Sequence, residues 1–413
     1  MKVQNAVKLT ELQVEDSVIT YKHTIAGSCE KYFYKDVDLC FKYSVPLTNV
    51  PKSILTIPFV AVTVLIAWAT GTTLYVDSLD KDYYDCLLLY KQSLIEKYPK
   101  IRWKGQLIVE SLESNNQDGS GGFAQFFSGG LDSMATYINH IDDKPLLITE
   151  NLTGFKTEAW ENLKSKAIEF AINQDCDIKF VESNFRKFLS SVNIEKTFQR
   201  KLVYNWWLCV QHGLLIISSA APIGFVHKLF TIRIASSYTK DTYYDSASSP
   251  ELDNTIKFCG TAIFHDGYEY DRQEKIVNVV NYSWPKNIKP RIEVCYLSNT
   301  NCCNCKKCHR SILALIAAGA DPREYDFQIS DQYFTDLKTY LQSEIYRLGN
   351  YEIRTWSGIR RYMLEHKKIV KFDIPDWFVH YRFKTAKNKA LFQYRAKNFH
   401  KIIKQRISDL IGR

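Results

Sequence analysis

The apolar and polar positions fall into runs of different period. Alternation over residues 17–23 (SVITYKH), within 31–45 and over 71–77 predicts strands; residues 82–98 carry the three-to-four-residue apolar spacing of a helix, and 105–112 (GQLIVESL) returns to strand. A polar, glycine-rich stretch, 114–122 (SNNQDGSGG), then reads as a linker. After it, strands at 123–127, 145–150, 177–183 and 229–237 alternate with helices from Leu131 to Ile141, over 158–172 and within 201–221. That order predicts an α/β fold with a doubly wound parallel sheet, preceded by an α+β domain (1–113) and the linker, running over 123–320 and followed by a helical C-terminal region (321–413). Such sheets bind ligands beyond the carboxyl ends of their strands. Ser128, Glu150-Asn151, Ser183-Asn184 and Ser236-Ser237 are therefore expected to line one crevice, with Ser236, Ser237, His265 and Asp266 against a substrate.

Composition narrows this reading. Hydrophobic residues make up 46% and aromatic residues 14% of the 413, without low-complexity tracts, so a folded globular chain is expected. The apolar run 54–69 is shorter than the roughly 20 residues of a membrane span and is broken by Thr56, Pro58 and Thr63, which favours a buried strand and helix. No apolar core follows Lys2, so a cytoplasmic protein without a membrane partner is expected. Residues 1–113 carry no recognisable motif and read as a packing or homo-oligomerisation domain.

The net charge of +9 is localised, because residues 381–413 hold ten Lys or Arg against one acid, Asp409. Leu391, Tyr394, Phe399, Ile402, Ile403, Ile407, Leu410 and Ile411 recur there at near-helical spacing, predicting a packed amphipathic helix. Its basic face either meets solvent or docks an acidic partner protein or RNA.

Three clusters carry candidate chemistry. At 128–133 (SGGLDS) a strand ends on two glycines and a helix begins, bringing backbone amides and the positive helix end to a place where a bulky anion can approach. A plain turn capped by Asp132 is the bland alternative, and the lysine of the commoner phosphate loop is absent. His265, Asp266, Arg272, Glu274 and Lys275 form either a solvated helix start capped by Asp266 or Asp271, or a site in which Arg272 and Lys275 clamp a carboxylate or pyrophosphate. Of eleven cysteines, Cys295, Cys302, Cys305 and Cys308 have the spacing of a closed zinc tetrahedron, with Cys303 left out. Unliganded thiols, an iron–sulfur cluster and a redox pair are the alternatives.

SGGLDS resembles the signature of the PP-loop ATP pyrophosphatases. Together with the four cysteines, it makes residues from about 123 to 319 similar to 7-cyano-7-deazaguanine synthase. The resemblance implies that Ser128, Gly129, Gly130, Leu131, Asp132 and Ser133 bind ATP and Mg²⁺, that the four cysteines bind Zn²⁺, and that a deazaguanine-like carboxylate is adenylated for attack by an amine or ammonia. Asp132, Arg272 and Lys275 would be the catalytic groups. Long segments before the turn and after the cysteines depart from that enzyme and resemble synthase-like proteins of bacterial gene clusters, some of them antiphage systems, in which a partner protein is expected to be modified. Two other expectations stand beside this one: an RNA-modifying PP-loop enzyme using Cys176, Cys209 or Cys259, and a non-catalytic module that binds nucleotide to assemble with partners.

Overall fold

The computed structural model describes residues 5–152, 157–240, 245–295 and 300–399. They form two compact units, Met1–Asp271 and Arg272–Arg413.

In the first unit a two-residue turn, with Asp16 in the left-handed region (φ 53°), reverses β1 (Ala6–Glu15) into β2 (Val18–Ala26). The hairpin is joined by β3 (Leu39–Tyr43), then by β4 (Thr73–Asp80) and β5 (Gln106–Glu113). β6 (Phe123–Phe126), β7 (Leu146–Asn151), β8 (Ile178–Ser183), β9 (Thr231–Ala235), β10 (Lys257–Phe258) and β11 (Thr261–Asp266) follow. All eleven strands belong to one sheet, in the order β10-β11-β9-β6-β7-β8-β3-β2-β1-β4-β5. It is mixed and mostly parallel: the β1–β2 hairpin and β3 enter it antiparallel, and within 123–320, where the strand–helix alternation predicts a parallel sheet, β10 pairs antiparallel with β11.

The joint between the two halves of this sheet is β3 against β8, with Phe41 opposite Ser183 and Tyr43 opposite Val181. Asn184 locks it, accepting from the Cys40 amide (2.8 Å) and donating to the Asp38 carbonyl (2.9 Å). The 114–122 segment thus runs between two strands of the same sheet, tied down where Gly121 N donates to the Lys228 carbonyl.

The run 54–69 is helical instead of strand and helix. In α1 (Ile57–Thr70) every residue from Ile57 to Ala69 is buried, and Thr63 satisfies its hydroxyl on the Phe59 carbonyl. An apolar helix without a polar face belongs inside a core. One run among the described residues, Trp207–Val226, is long and apolar enough to cross a membrane, and it is mostly buried within the protein. α2 (Lys81–Lys97), α3 (Leu131–Asn139), α4 (Glu158–Gln174) and α5 (His212–Ser219) complete the elements used below.

The second unit is helical: α6 (Arg272–Asn281), α7 (Lys306–Ala317), α8 (Tyr333–Glu344), α9 (Asn350–Glu365) and α10 (Phe383–Lys397). α7 and α9 carry its core through Ile312, Leu315, Trp356 and Met363. α10 corrects the expectation of a packed amphipathic tail, since only Phe383 of it is buried while Phe392 and Phe399 are exposed. Tyr394 rests on Tyr346 with ring centroids 4.5 Å apart, and Leu391 is half-buried. The remaining apolar residues of that expectation, Ile402 to Ile411, lie outside the described residues.

Candidate functional site

The glycine turn leaves β6 in the middle of five parallel strands, β11-β9-β6-β7-β8. From β6 the chain passes through α3 to β7 and on to β8 on one side, whereas β9 and β11 lie on the other. Strand order therefore reverses between β6 and β9, and the two sets of connections separate there, the position at which sheets of this kind bind their ligands.

Local chemistry holds the turn open. Gly129 has φ +69°, a left-handed conformation costly for any residue with a Cβ, and Gly130 is extended at the helix cap without a capping side chain. Ser133 is buried and faces inward: its hydroxyl donates to the Gly130 carbonyl (2.9 Å) and lies 3.3 Å from both the amide and the hydroxyl of Ser128. Ser128 Oγ accepts in turn from the Gly130 amide (3.3 Å). Beneath them Gln125, fully buried, donates to the Ser133 carbonyl (3.1 Å). Leu131 is buried as well, so Ser128, the glycine backbone and half-buried Asp132 form the outward surface.

The strand ends divide into different tasks. Asp266, at the end of β11, is buried and accepts from Thr136 Oγ1 (2.7 Å) and meets His140 Nε2 (2.7 Å), so it anchors α3, the helix that the turn begins. Ser183 and Asn184 are consumed by the β3 joint and do not face the crevice, which corrects the expectation for them. Glu150 receives a hydrogen bond from Ser219, and burial pushes its carboxyl well above the ordinary glutamate range. Ser236 is buried, its amide on the Asp266 carbonyl (2.8 Å), and Ser237 is exposed. His265 points to the opposite face of the sheet from its neighbour Asp266, as strand alternation requires, and its Nδ1 meets Asp253 Oδ2 at 2.7 Å. Sequence reasoning missed Asp253, whose segment has no strong period.

In the second unit, Arg272 and Lys275 both lie in the first turn of α6, where Lys275 is buried and Arg272 half-buried. The same unit gathers the sulfurs of Cys295, Cys302, Cys305 and Cys308 within 4.8 Å of one another. A zinc tetrahedron with bonds of about 2.3 Å needs sulfurs about 3.8 Å apart, so a small contraction fits this set, and four thiolates leave no open position. Cys305 caps α7 and accepts from the Cys308 amide. A hydrogen bond from the Cys308 thiol, helped by the amides of Cys308 and Lys307, holds Cys305 down at about 5, and Cys308 is raised in exchange. Asn301 braces the loop by donating to the Ile292 carbonyl (2.8 Å) and accepting from the Val294 amide (3.2 Å). Cys303 turns away with φ +54°, its thiol on the Asn301 carbonyl and raised to about 11 by burial. The four cysteines could therefore bind a metal such as zinc, and Cys303 stands outside the group.

The chain matches no protein-family model, no curated protein and no solved structure.

Proposed function

We propose that the chain is an ATP-dependent adenylating ligase of the PP-loop kind. The observation that carries this reading is the position of the glycine turn, open to solvent at the point where strand order reverses. ATP would lie with its phosphates on the Ser128–Gly130 backbone, where the positive end of α3 favours anions and phosphate oxygens would replace the Ser133 and Ser128 hydroxyls on the Ser128 and Gly130 amides. A substrate carboxylate would attack the α-phosphorus, releasing pyrophosphate and leaving an acyl-adenylate for an amine or ammonia. Mg²⁺, held in part by Asp132, would offset charge on the phosphates. By its resemblance to the synthase, the chain would take a deazaguanine-like carboxylate, with a partner protein as acceptor in the antiphage setting.

Zinc on the four cysteines would be structural, since a closed thiolate site has no position for substrate. The thiolation alternative is weakened by its own candidates: burial raises Cys259 to about 12, Cys176 to about 11 and Cys209 above the ordinary thiol range, which removes the thiolate such a carrier needs. A non-catalytic nucleotide-binding module would bind ATP without cleaving it. Incubation with ATP, Mg²⁺ and 7-carboxy-7-deazaguanine separates these readings: AMP and pyrophosphate support the ligase, whereas bound but intact ATP supports the binding module.

A further inference from the structure

Beyond the glycine turn, the first unit holds a second polar site on the face of the sheet that His265 points to. A cavity of about 360 Å³ is lined by Ser236 at the end of β9, His265 and Tyr268 from β11 and the turn after it, Lys97 and Glu96 from α2, and Glu251. β9 pairs with both β6 and β11, so this cavity lies one strand away from the glycine turn at the same end of the sheet. The Ser236 amide is bonded to the carbonyl of Asp266, the residue that anchors α3, and this links the cavity wall to the turn's helix.

Among the described residues, the His265 imidazole is held on one side only. Asp253, fully buried, accepts at Nδ1 and also receives the Ser248 hydroxyl (2.5 Å), while the Asn254 side chain accepts from the His265 amide (2.7 Å). Space for that carboxylate exists because residue 213 is glycine: a Cβ there would stand 2.2 Å from the Ala247 carbonyl oxygen and 2.9 Å from Asp253 Oδ1. An acceptor at Nδ1 fixes the tautomer that leaves Nε2 as a base. A buried carboxylate, an oriented imidazole and a polar cavity beside it are more than a stable core needs.

We propose that this cavity receives the amine nucleophile and that His265, positioned by Asp253, takes its proton. The proposal rests on the ligase reading. Two carboxylates of the lining, Glu251 and Glu96, the latter also accepting from Gln92 Nε2 (2.9 Å), outnumber the one ammonium of Lys97, which the Ser246 carbonyl holds (2.7 Å), so the cavity suits a small cation such as ammonium. His265 Nε2 takes one proton from the ammonium and frees ammonia. The nitrogen lone pair then forms the C–N bond while the acyl–phosphate C–O bond breaks and AMP leaves with that electron pair, and the second proton on nitrogen passes to water.

The test separates the two half-reactions. With ATP, Mg²⁺ and 7-carboxy-7-deazaguanine, carboxylate-dependent exchange of labelled pyrophosphate into ATP reports adenylation alone, and product formation with ammonia or with hydroxylamine reports transfer. Hydroxylamine is largely unprotonated at neutral pH and needs no base. His265→Gln should leave exchange unchanged, which also verifies the fold, lower the ammonia-dependent rate about 100-fold, and spare the hydroxylamine rate. Asp253→Asn should give a smaller loss of the same kind. Equal loss of exchange and transfer, or equal loss with both nucleophiles, would overturn the proposal, as would a normal ammonia rate in His265→Gln. Wild-type protein without exchange would instead overturn the ligase reading itself.

Discussion

The glycine turn and the cysteine group both stand at the start of a helix, yet they are built from different material. At α3 no side chain caps the helix, and the site consists of backbone amides shaped by Gly129 and tied from within by Ser133. At α7 the cap is itself a ligand candidate, since Cys305 accepts from the Cys308 amide, and the site consists of four side chains. A backbone site depends on conformation and tolerates little strain; a side-chain site depends on composition and loses everything with one thiolate. Substitutions should therefore act on fold in the second and on ligand affinity in the first.

The largest effect is expected at the cysteines. Purified protein should carry about one zinc per chain and be colourless, and Cys305→Ser should lose the metal together with most soluble yield. Cys303→Ser should keep both, because its thiol lies outside the group. Elemental analysis decides; a brown sample with visible charge-transfer absorption would mean an iron–sulfur centre and break the comparison.

Next comes Gly129→Ala. A Cβ at φ +69° costs about 1 kcal/mol, which the turn can relieve only by changing shape. ATP affinity measured by calorimetry should drop about tenfold or more, since several amides move together, while the melting temperature falls only a few degrees. An unaltered affinity would show that the backbone does not form the site.

A smaller effect tests burial at the strand ends. Glu150 has a folded-state pKa raised above its unfolded value of about 4.3, so the folded protein holds the proton more tightly. No penalty exists below the unfolded value; it grows as pH rises through the folded value and is full above it. Glu150→Gln should accordingly raise the melting temperature at pH 8 by a few degrees and leave it unchanged at pH 4. A shift of equal size at both pH values would contradict the burial argument.

The tail should respond least in fold and in turnover. Lys389, Arg395 and Lys397 are exposed on α10, beside the exposed aromatics Phe392 and Phe399. Changing all three to Glu should weaken binding of single-stranded RNA and reduce the slope of log K against log salt by about 2, sparing ATP turnover. An unchanged slope would leave this helix as a solvated face.

The strands and helices around the glycine turn were legible because each carries its own apolar period, and the cysteines because ligand spacing is local. What was not legible is long-range. β3 meets β8 across some 140 residues of chain, and nothing in either strand announces that the first hundred residues extend the later sheet. β1 and β11 were missed too; β11 alternates buried Ile263 with exposed Phe264 and ends on His265 and Asp266, so its charged end masked a strand. The Asp253–His265 pair depends on α5 offering a glycine at 213, a coincidence of three segments. On α10 the apolar spacing misled, because a helical period shows which residues share a face and not whether anything covers it.

The central claim is adenylation at the glycine turn, and Asp132 is the ionisable side chain on its outward surface. Wild-type protein and Asp132→Ala should be incubated with ATP, Mg²⁺ and 7-carboxy-7-deazaguanine, with AMP and pyrophosphate quantified and the fold checked by circular dichroism. The account predicts stoichiometric AMP and pyrophosphate from the wild type and neither from the folded variant. Turnover at the wild-type rate in Asp132→Ala would contradict it.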